Sequence, residues 1–101
     1  MQNHADVVLE NQELYVSGNL DFANVMPVLA KGLAFYASQP TLVFNFDRLK
    51  TSNSAGLALI LEWISHAKSQ KKSIKFKNIS PKLMAIANTA SLGKIIDVFS
   101  A

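Results

Sequence analysis

The sequence predicts a small α/β domain: a two-layer sandwich of a mixed four- to five-stranded sheet with helices mainly on one face. Two observations carry this. Strand-like and helix-like patterns alternate along the chain in the order ββαβαβα, and strands separated by helices must run parallel, because only a crossover can join parallel neighbours. The second face of those strands carries Asn45, Lys75 and Lys77, which leaves one side of the sheet partly open. With 101 residues, half of them apolar and 17% charged, the chain is expected to form a single domain over 1–101 with one core.

The first pair of strands is read from DVVLE and ELYVSG, with Asn11 and Gln12 at the turn of a hairpin. Gly18 to Asp21 lead into FANVMPVLAKGLAFYA, where Phe22, Val25, Leu29, Leu33 and Tyr36 recur at helical spacing. Pro27 fits only the first turn, so the regular helix begins near Val25 or Met26. PTLVFNFD (Pro40–Asp47) is the clearest strand, placing Leu42, Phe44 and Phe46 on one face and Val43 and Asn45 on the other. RLKTSN is a loop leading to a helix from Ser54 to about Ser69. Lys72–Ile79 is a further strand with Ile74 and Phe76 inward. The next helix has Ser80 as N-cap and Pro81 at its first position, with Gly93 as its stop. KIIDVFSA fits either a short helix or an extended piece.

Composition excludes several classes of function. Without cysteine there is no disulfide framework and no thiolate ligand or nucleophile. The longest unbroken apolar run, Leu57–Leu61, is far short of the roughly 20 residues of a membrane-spanning helix, so no direct membrane insertion is expected. MQNHADVVLE lacks the basic start and apolar stretch of a leader, and a cytosolic location is the expectation. The net charge is +3, yet Lys68, Lys71, Lys72, Lys75, Lys77 and Lys82 fall in a segment with no acid. Such a segment suits an anionic surface or an acidic partner, and equally a solvated helix end and strand face. It has no arginine and only Phe76 as an aromatic, which does not favour nucleic acid.

Catalytic constellations are missing from the pattern. His66 lies twelve residues beyond Ser54 on the same helix, about 18 Å away at a rise of roughly 1.5 Å per residue. SNSAG lacks the first glycine of a nucleophile elbow. No phosphate-binding glycine loop, metal-ligand cluster or cofactor motif is present. The expectation is no enzyme, no cofactor and no metal.

The informative stretch is TSNSAGLALI, Thr51–Ile60. A helix N-terminus offers unsatisfied N–H groups and a partial positive charge. Ser54 at that position reads either as an ordinary N-cap or as a hydroxyl presented to a partner or a kinase, since a phosphate there would meet the same donors. Gly56 leaves the backbone uncovered for a close approach. On the helix, Leu57, Ile60, Leu61 and Ile64 form the stripe that packs on the sheet. Ala55, Leu59 and Trp63 fall on or near the opposite side with Glu62 and His66. Leu59 and Trp63 are therefore either covered by a flanking helix or exposed as an interface patch.

The segment FNFDRLKTSNSAGLALILEWISHAKSQKKSIKFKNIS resembles the STAS domain family of bacterial anti-sigma-factor antagonists and related transporter domains. The resemblance rests on a strand ending in Phe46-Asp47, a short loop, and a hydroxyl residue two before Gly56-Leu57. In the antagonists the residue matching Ser54 is phosphorylated by an anti-sigma kinase and sits in Asp-Ser-Ser/Thr-Gly. Here the triplet is Asn53-Ser54-Ala55, without the acid and the second hydroxyl. SAGLALI, with Gly18, Leu20-Asp21 and Pro27 upstream, is more similar to the subgroup that serves phospholipid ABC transporters of Gram-negative bacteria. That resemblance implies a non-catalytic cytoplasmic subunit, peripheral to the inner membrane through its partner, that binds the transporter ATPase. The surface it implies comprises Thr51, Ser52, Asn53, Ser54, Ala55, Gly56, Leu59 and Trp63. The alternative it carries is an antagonist that an anti-sigma kinase switches by phosphorylating Ser54.

Overall fold

The structure, a computed structural model, describes residues 4–100. Strands β1 (Ala5–Glu10) and β2 (Glu13–Leu20) form the antiparallel hairpin, with the turn at Asn11 and Gln12, both at positive φ. After helix α1 (Val25–Leu33) comes β3 (Thr41–Asn45), parallel to β2. The next elements are β4 (Leu49–Ser52), helix α2 (Ser54–Ser69), β5 (Ser73–Lys77), helix α3 (Pro81–Thr89) and helix α4 (Gly93–Val98). The sheet order is β1-β2-β3-β5, with β4 also paired to β2. This is the mixed α/β sandwich that the alternation of elements predicts.

Three local readings change. RLKTSN is not all loop: Leu49–Ser52 forms β4, parallel to β2 and carrying on along the edge where β3 leaves off. The break between them has a cause in Asn45, whose side-chain oxygen accepts from the Asp47 amide at 2.9 Å and turns the chain. Gly93 does not stop α3; the helix ends at Thr89, Ser91 takes the left-handed conformation (φ 61°), and Gly93 opens α4. There a Cβ would fall 1.8 Å from the Asn88 side-chain oxygen, so close approach explains the glycine. The ambiguous tail is α4 followed by a single parallel bridge from Ser100 to Phe76. The third change is Phe22, which precedes α1 and is 62% exposed instead of joining its buried face.

One sheet face is apolar and one polar, as strand alternation requires. Val7, Leu14, Val16, Leu42, Phe44, Ile74 and Phe76 are buried in the core. On the other face, Glu13 accepts from Asn45 Nδ2 and from Lys77 Nζ, both at 3.0 Å, and Asn78 donates to Asn45. These bonds satisfy Asn45, which is itself buried. Arg48 pairs with both oxygens of Glu10 and lies 4.0 Å over the ring of Tyr15.

Trp63 is the keystone of the other layer. Its indole stacks on Phe44 with centroids 3.9 Å apart, and Nε1 donates to the Leu29 carbonyl of α1. The Tyr36 hydroxyl donates to the Trp63 carbonyl at 2.6 Å, and burial pushes that phenol's pKa well above its ordinary value. Gly32 lets α1 approach, because a Cβ there would sit 2.6 Å from the indole.

Candidate functional site

The site is built where the loops following β2 and β4 emerge at one end of the sheet. Parallel pairing sets Asn19 beside Thr51 and Leu20 beside Ser52. Thr51 Oγ1 donates to the Asn19 side-chain oxygen at 2.8 Å, tying the two loops together. Gly18, at φ +89°, permits the register shift that brings them level, and its Cβ position is filled by the His4 carbonyl. Asp21 and Asn24 close the β2–α1 loop: the Asp21 carboxylate accepts from the Ala23 and Asn24 amides, and Asn24 donates to the Asn19 carbonyl. The β2–α1 loop is thus held by side-chain bonds to backbone, and the ends of β2 and β4 by a side-chain pair, a firm setting for a recognition surface.

The start of α2 differs from expectation in one informative way. Asn53, not Ser54, is the N-cap: it is extended, and its side-chain oxygen accepts from the Ala55 amide at 2.8 Å. Ser52 Oγ donates to the Asn53 carbonyl. Ser54 is the first helical residue, is exposed, and has no side-chain hydrogen bond among the described residues. Its hydroxyl is free for a partner at the positive end of a 16-residue helix. A cleft of about 140 Å³ between β4 and the start of α3 is lined by Lys50, Thr51, Ser52, Ser80 and Lys82 among others; it is cationic, and Ser54 does not line it.

The eight residues expected at the surface divide. Thr51, Ser52, Asn53 and Ser54 come together at the loop and reach solvent. Ala55, Gly56, Leu59 and Trp63 are buried. Leu59 and Trp63 are not an interface patch, since both side chains are at most 1% exposed. Trp63, expected away from the sheet, lies on it instead, stacked on Phe44 with α1 against the indole. Gly56 is packed against Ser52 and Leu83, and so admits the loop and α3, not an outside backbone. The outward stripe of α2 is Ser54, Ala58, Glu62 and Ser65.

Two residues that the sequence reading did not place here join the site. Phe22 and Met26 are 62% and 65% exposed at the entrance to α1, at the same end of the sheet as Ser54. Phe22 stands on the turn before α1 and Met26 on its first turn, so both lie at the entry to the helix. The available signal was Pro27: once it fixes the helix start, Phe22 lies before the first turn and cannot share the buried stripe of Val25 and Val28. In the lysine-rich segment, Lys77 is engaged by Glu13 and Lys72 by the Gln39 carbonyl, while Lys68, Lys71, Lys75 and Lys82 are exposed. No group of three or more metal-ligating side chains occurs among the described residues.

A mixed sheet with helices on one face and a hydroxyl presented at the start of α2 is the arrangement of a STAS domain. The chain belongs to that family: the family model described as "Mlab, STAS domain" matches residues 4–97. STAS domains are in general protein-interaction modules. Among solved structures, the unphosphorylated anti-sigma factor antagonist SpoIIAA superposes with a TM-score of 0.69 at 21% identity, covering 97% of this chain and 86% of that one. The phosphorylated form of SpoIIAA, the Bacillus cell fate determinant, gives 0.62 at 20% identity, over 99% and 89%. At such identities the likeness concerns the fold. No curated protein matches the chain in sequence.

Proposed function

We propose that this chain is the non-catalytic STAS subunit of an ABC transporter that traffics phospholipid to maintain outer-membrane lipid asymmetry. It docks on the transporter's ATPase subunit, in the cytoplasm at the inner membrane. The observation that carries the reading is the emergence at one end of the sheet of a polar stretch, Thr51–Ser54, and two exposed apolar side chains, Phe22 and Met26. Apolar anchors flanked by polar groups are the composition of a protein interface, and the Mlab family match over residues 4–97 directs the choice of partner. Co-expression with the ATPase of the same genome tests it. The two proteins should co-elute, and ATP hydrolysis by the assembled transporter should rise with this subunit present. Ser54→Glu should leave the fold intact and weaken the complex. Failure to co-elute, with unchanged hydrolysis, refutes the proposal.

A second reading draws on the freely exposed Ser54 hydroxyl and the fold shared with SpoIIAA, which is known in unphosphorylated and phosphorylated forms. In it, the chain is an anti-sigma factor antagonist switched by phosphorylation of Ser54, and the partner is a kinase. A phosphate on Ser54 would be favoured by the helix terminus. Mass spectrometry of the protein isolated from its own cells distinguishes the two: stoichiometric phosphate on Ser54 favours the switch, its absence the transporter subunit.

A further inference from the structure

We propose that the outer edge of β1 is a self-pairing surface for a second copy of this chain, held closed by the Asp6–Lys31 ion pair. The two edges of the sheet are treated differently. Beyond β5, the backbone of Phe99 and Ser100 covers the edge at its inner residue: Phe99 accepts from the Phe76 amide and Ser100 bridges to Phe76. β1 pairs only with β2 among the described residues, so its six-residue edge presents unused backbone groups, the usual template for strand addition.

The direction of those groups follows from the ladder. Asn19 donates to the His4 carbonyl at 2.8 Å, so His4, Asp6, Val8 and Glu10 bond toward β2, and Ala5, Val7 and Leu9 bond outward. The middle outward donor is occupied. Val7 N–H donates to the Asp6 Oδ1 atom at 2.8 Å, and Lys31 Nζ of α1 reaches the same oxygen at 2.7 Å. Asp6 therefore stops the edge at its centre, and Lys31 holds it there. Inward-turned charge of this kind is a known way to protect an edge.

The charge pattern selects one register for a second copy. If Val7 pairs with Val7, the outward groups match antiparallel, Ala5 faces Leu9, Asp6 faces Val8, and His4 faces Glu10. The in-register pairing also engages all three outward residues of each copy, whereas sliding by two engages only two of them and sliding by four only one. The choice therefore survives the loss of Asp6. With Asp6 present, sliding by two further opposes it to Asp6 or Glu10, which is unfavourable. The pairing that remains is two-fold symmetric and closed. It brings Leu9, 40% exposed in the single copy, beside Ala5 of the second. Opening it requires only that Asp6 release Val7, and both members of the ion pair are about half exposed.

Sedimentation equilibrium on the full chain tests this. The native protein should be a monomer, and Asp6→Ala should double the mass. Adding Leu9→Pro, which deletes an outward N–H without touching the β2 ladder, should return it to monomer. In the dimer, hydrogen exchange at the Val7 amide should slow about ten-fold or more. Lys31→Ala releases the same latch from the other side and should also dimerise, which covers the case in which Asp6→Ala does not fold. Folded latch variants that stay monomeric overturn the proposal. So does a dimer that survives Leu9→Pro, leaves Val7 unprotected, or grows beyond two copies.

Discussion

Gly32→Ala tests the assignment of Trp63 to the core. The added Cβ would lie 2.6 Å from Cζ2 and 2.7 Å from Cε2 and Nε1 of the indole. The ring cannot retreat, since it is fully buried, stacked at 3.9 Å on Phe44, and hydrogen-bonded to Leu29. Overpacking of this kind costs about 1–3 kcal/mol, and the rigidity of the neighbour places the site at the upper end. Replacing glycine by alanine inside a helix returns about 1 kcal/mol. The net is a loss of about 2 kcal/mol, or roughly 10 °C in melting temperature for a domain of this size. Urea unfolding followed by the fluorescence of Trp63, the single tryptophan, measures it directly. Gly56→Ala is the control, because its nearest neighbour is the tip of the Ser52 side chain, which can rotate away, and its cost should stay below about 1 kcal/mol. A Gly32→Ala protein as stable as the native one would refute the packing of α1 on Trp63 and return that side chain to the list of partner residues.

Four further outcomes are expected. Asn53→Ala removes the cap on the Ala55 amide and should destabilise by about 1 kcal/mol in the same unfolding assay. Ser54→Ala should change stability by less than about 0.5 kcal/mol, since that hydroxyl holds nothing. Phe22→Ser combined with Met26→Ser should leave unfolding nearly unchanged while weakening ATPase binding by about 2 kcal/mol or more, read by calorimetric titration. Acid should destabilise through Glu13, whose carboxyl is held below its ordinary value by hydrogen bonds from Asn45 and then Lys77. Because the folded value is the lower one, that stability is present above the ordinary value of 4.5 and is lost as pH falls through the folded value. Glu13→Gln should flatten the urea midpoint against pH in that range.

What was legible in the sequence followed the strength of local signals. Pro81 after Ser80 fixed the start of α3, and the Ser80 hydroxyl does accept from the Leu83 amide. Alternation in Leu42, Val43 and Phe44 fixed β3 and its buried face. β4 was hidden because four residues of mixed character, Leu49–Ser52, form a strand only by virtue of their partner β2, which no local pattern reports. The cap at Asn53 was hidden by a choice among adjacent Ser52, Asn53 and Ser54, any of which can cap; the end of β4 decides it, since Ser52 is still paired. The site was half legible. Its hydroxyl loop is a local feature, whereas the burial of Trp63 depends on Phe44 of the sheet and on where α1 crosses, and the exposure of Phe22 on a turn made by Asp21 and Asn24.

The division of labour at the start of α2 bears on how such a surface can change without losing the fold. Asn53 carries the cap, Thr51 ties the loop to Asn19, and Gly56 packs inward, so each of these neighbours is committed to structure. Ser54 is committed to none of it. A change at Ser54 alters the exposed surface but leaves the helix start as it was, whether the change is a substitution or a phosphate. Phe22 and Met26 share this independence, being exposed on a loop and helix start held by other side chains. On the proposed docking, binding and folding are therefore separable at the level of single residues. A loss of partner binding at Ser54, Phe22 or Met26 with unchanged stability is the signature of an interface, whereas the same loss at Asn53 or Gly32 would be accompanied by a lower unfolding midpoint.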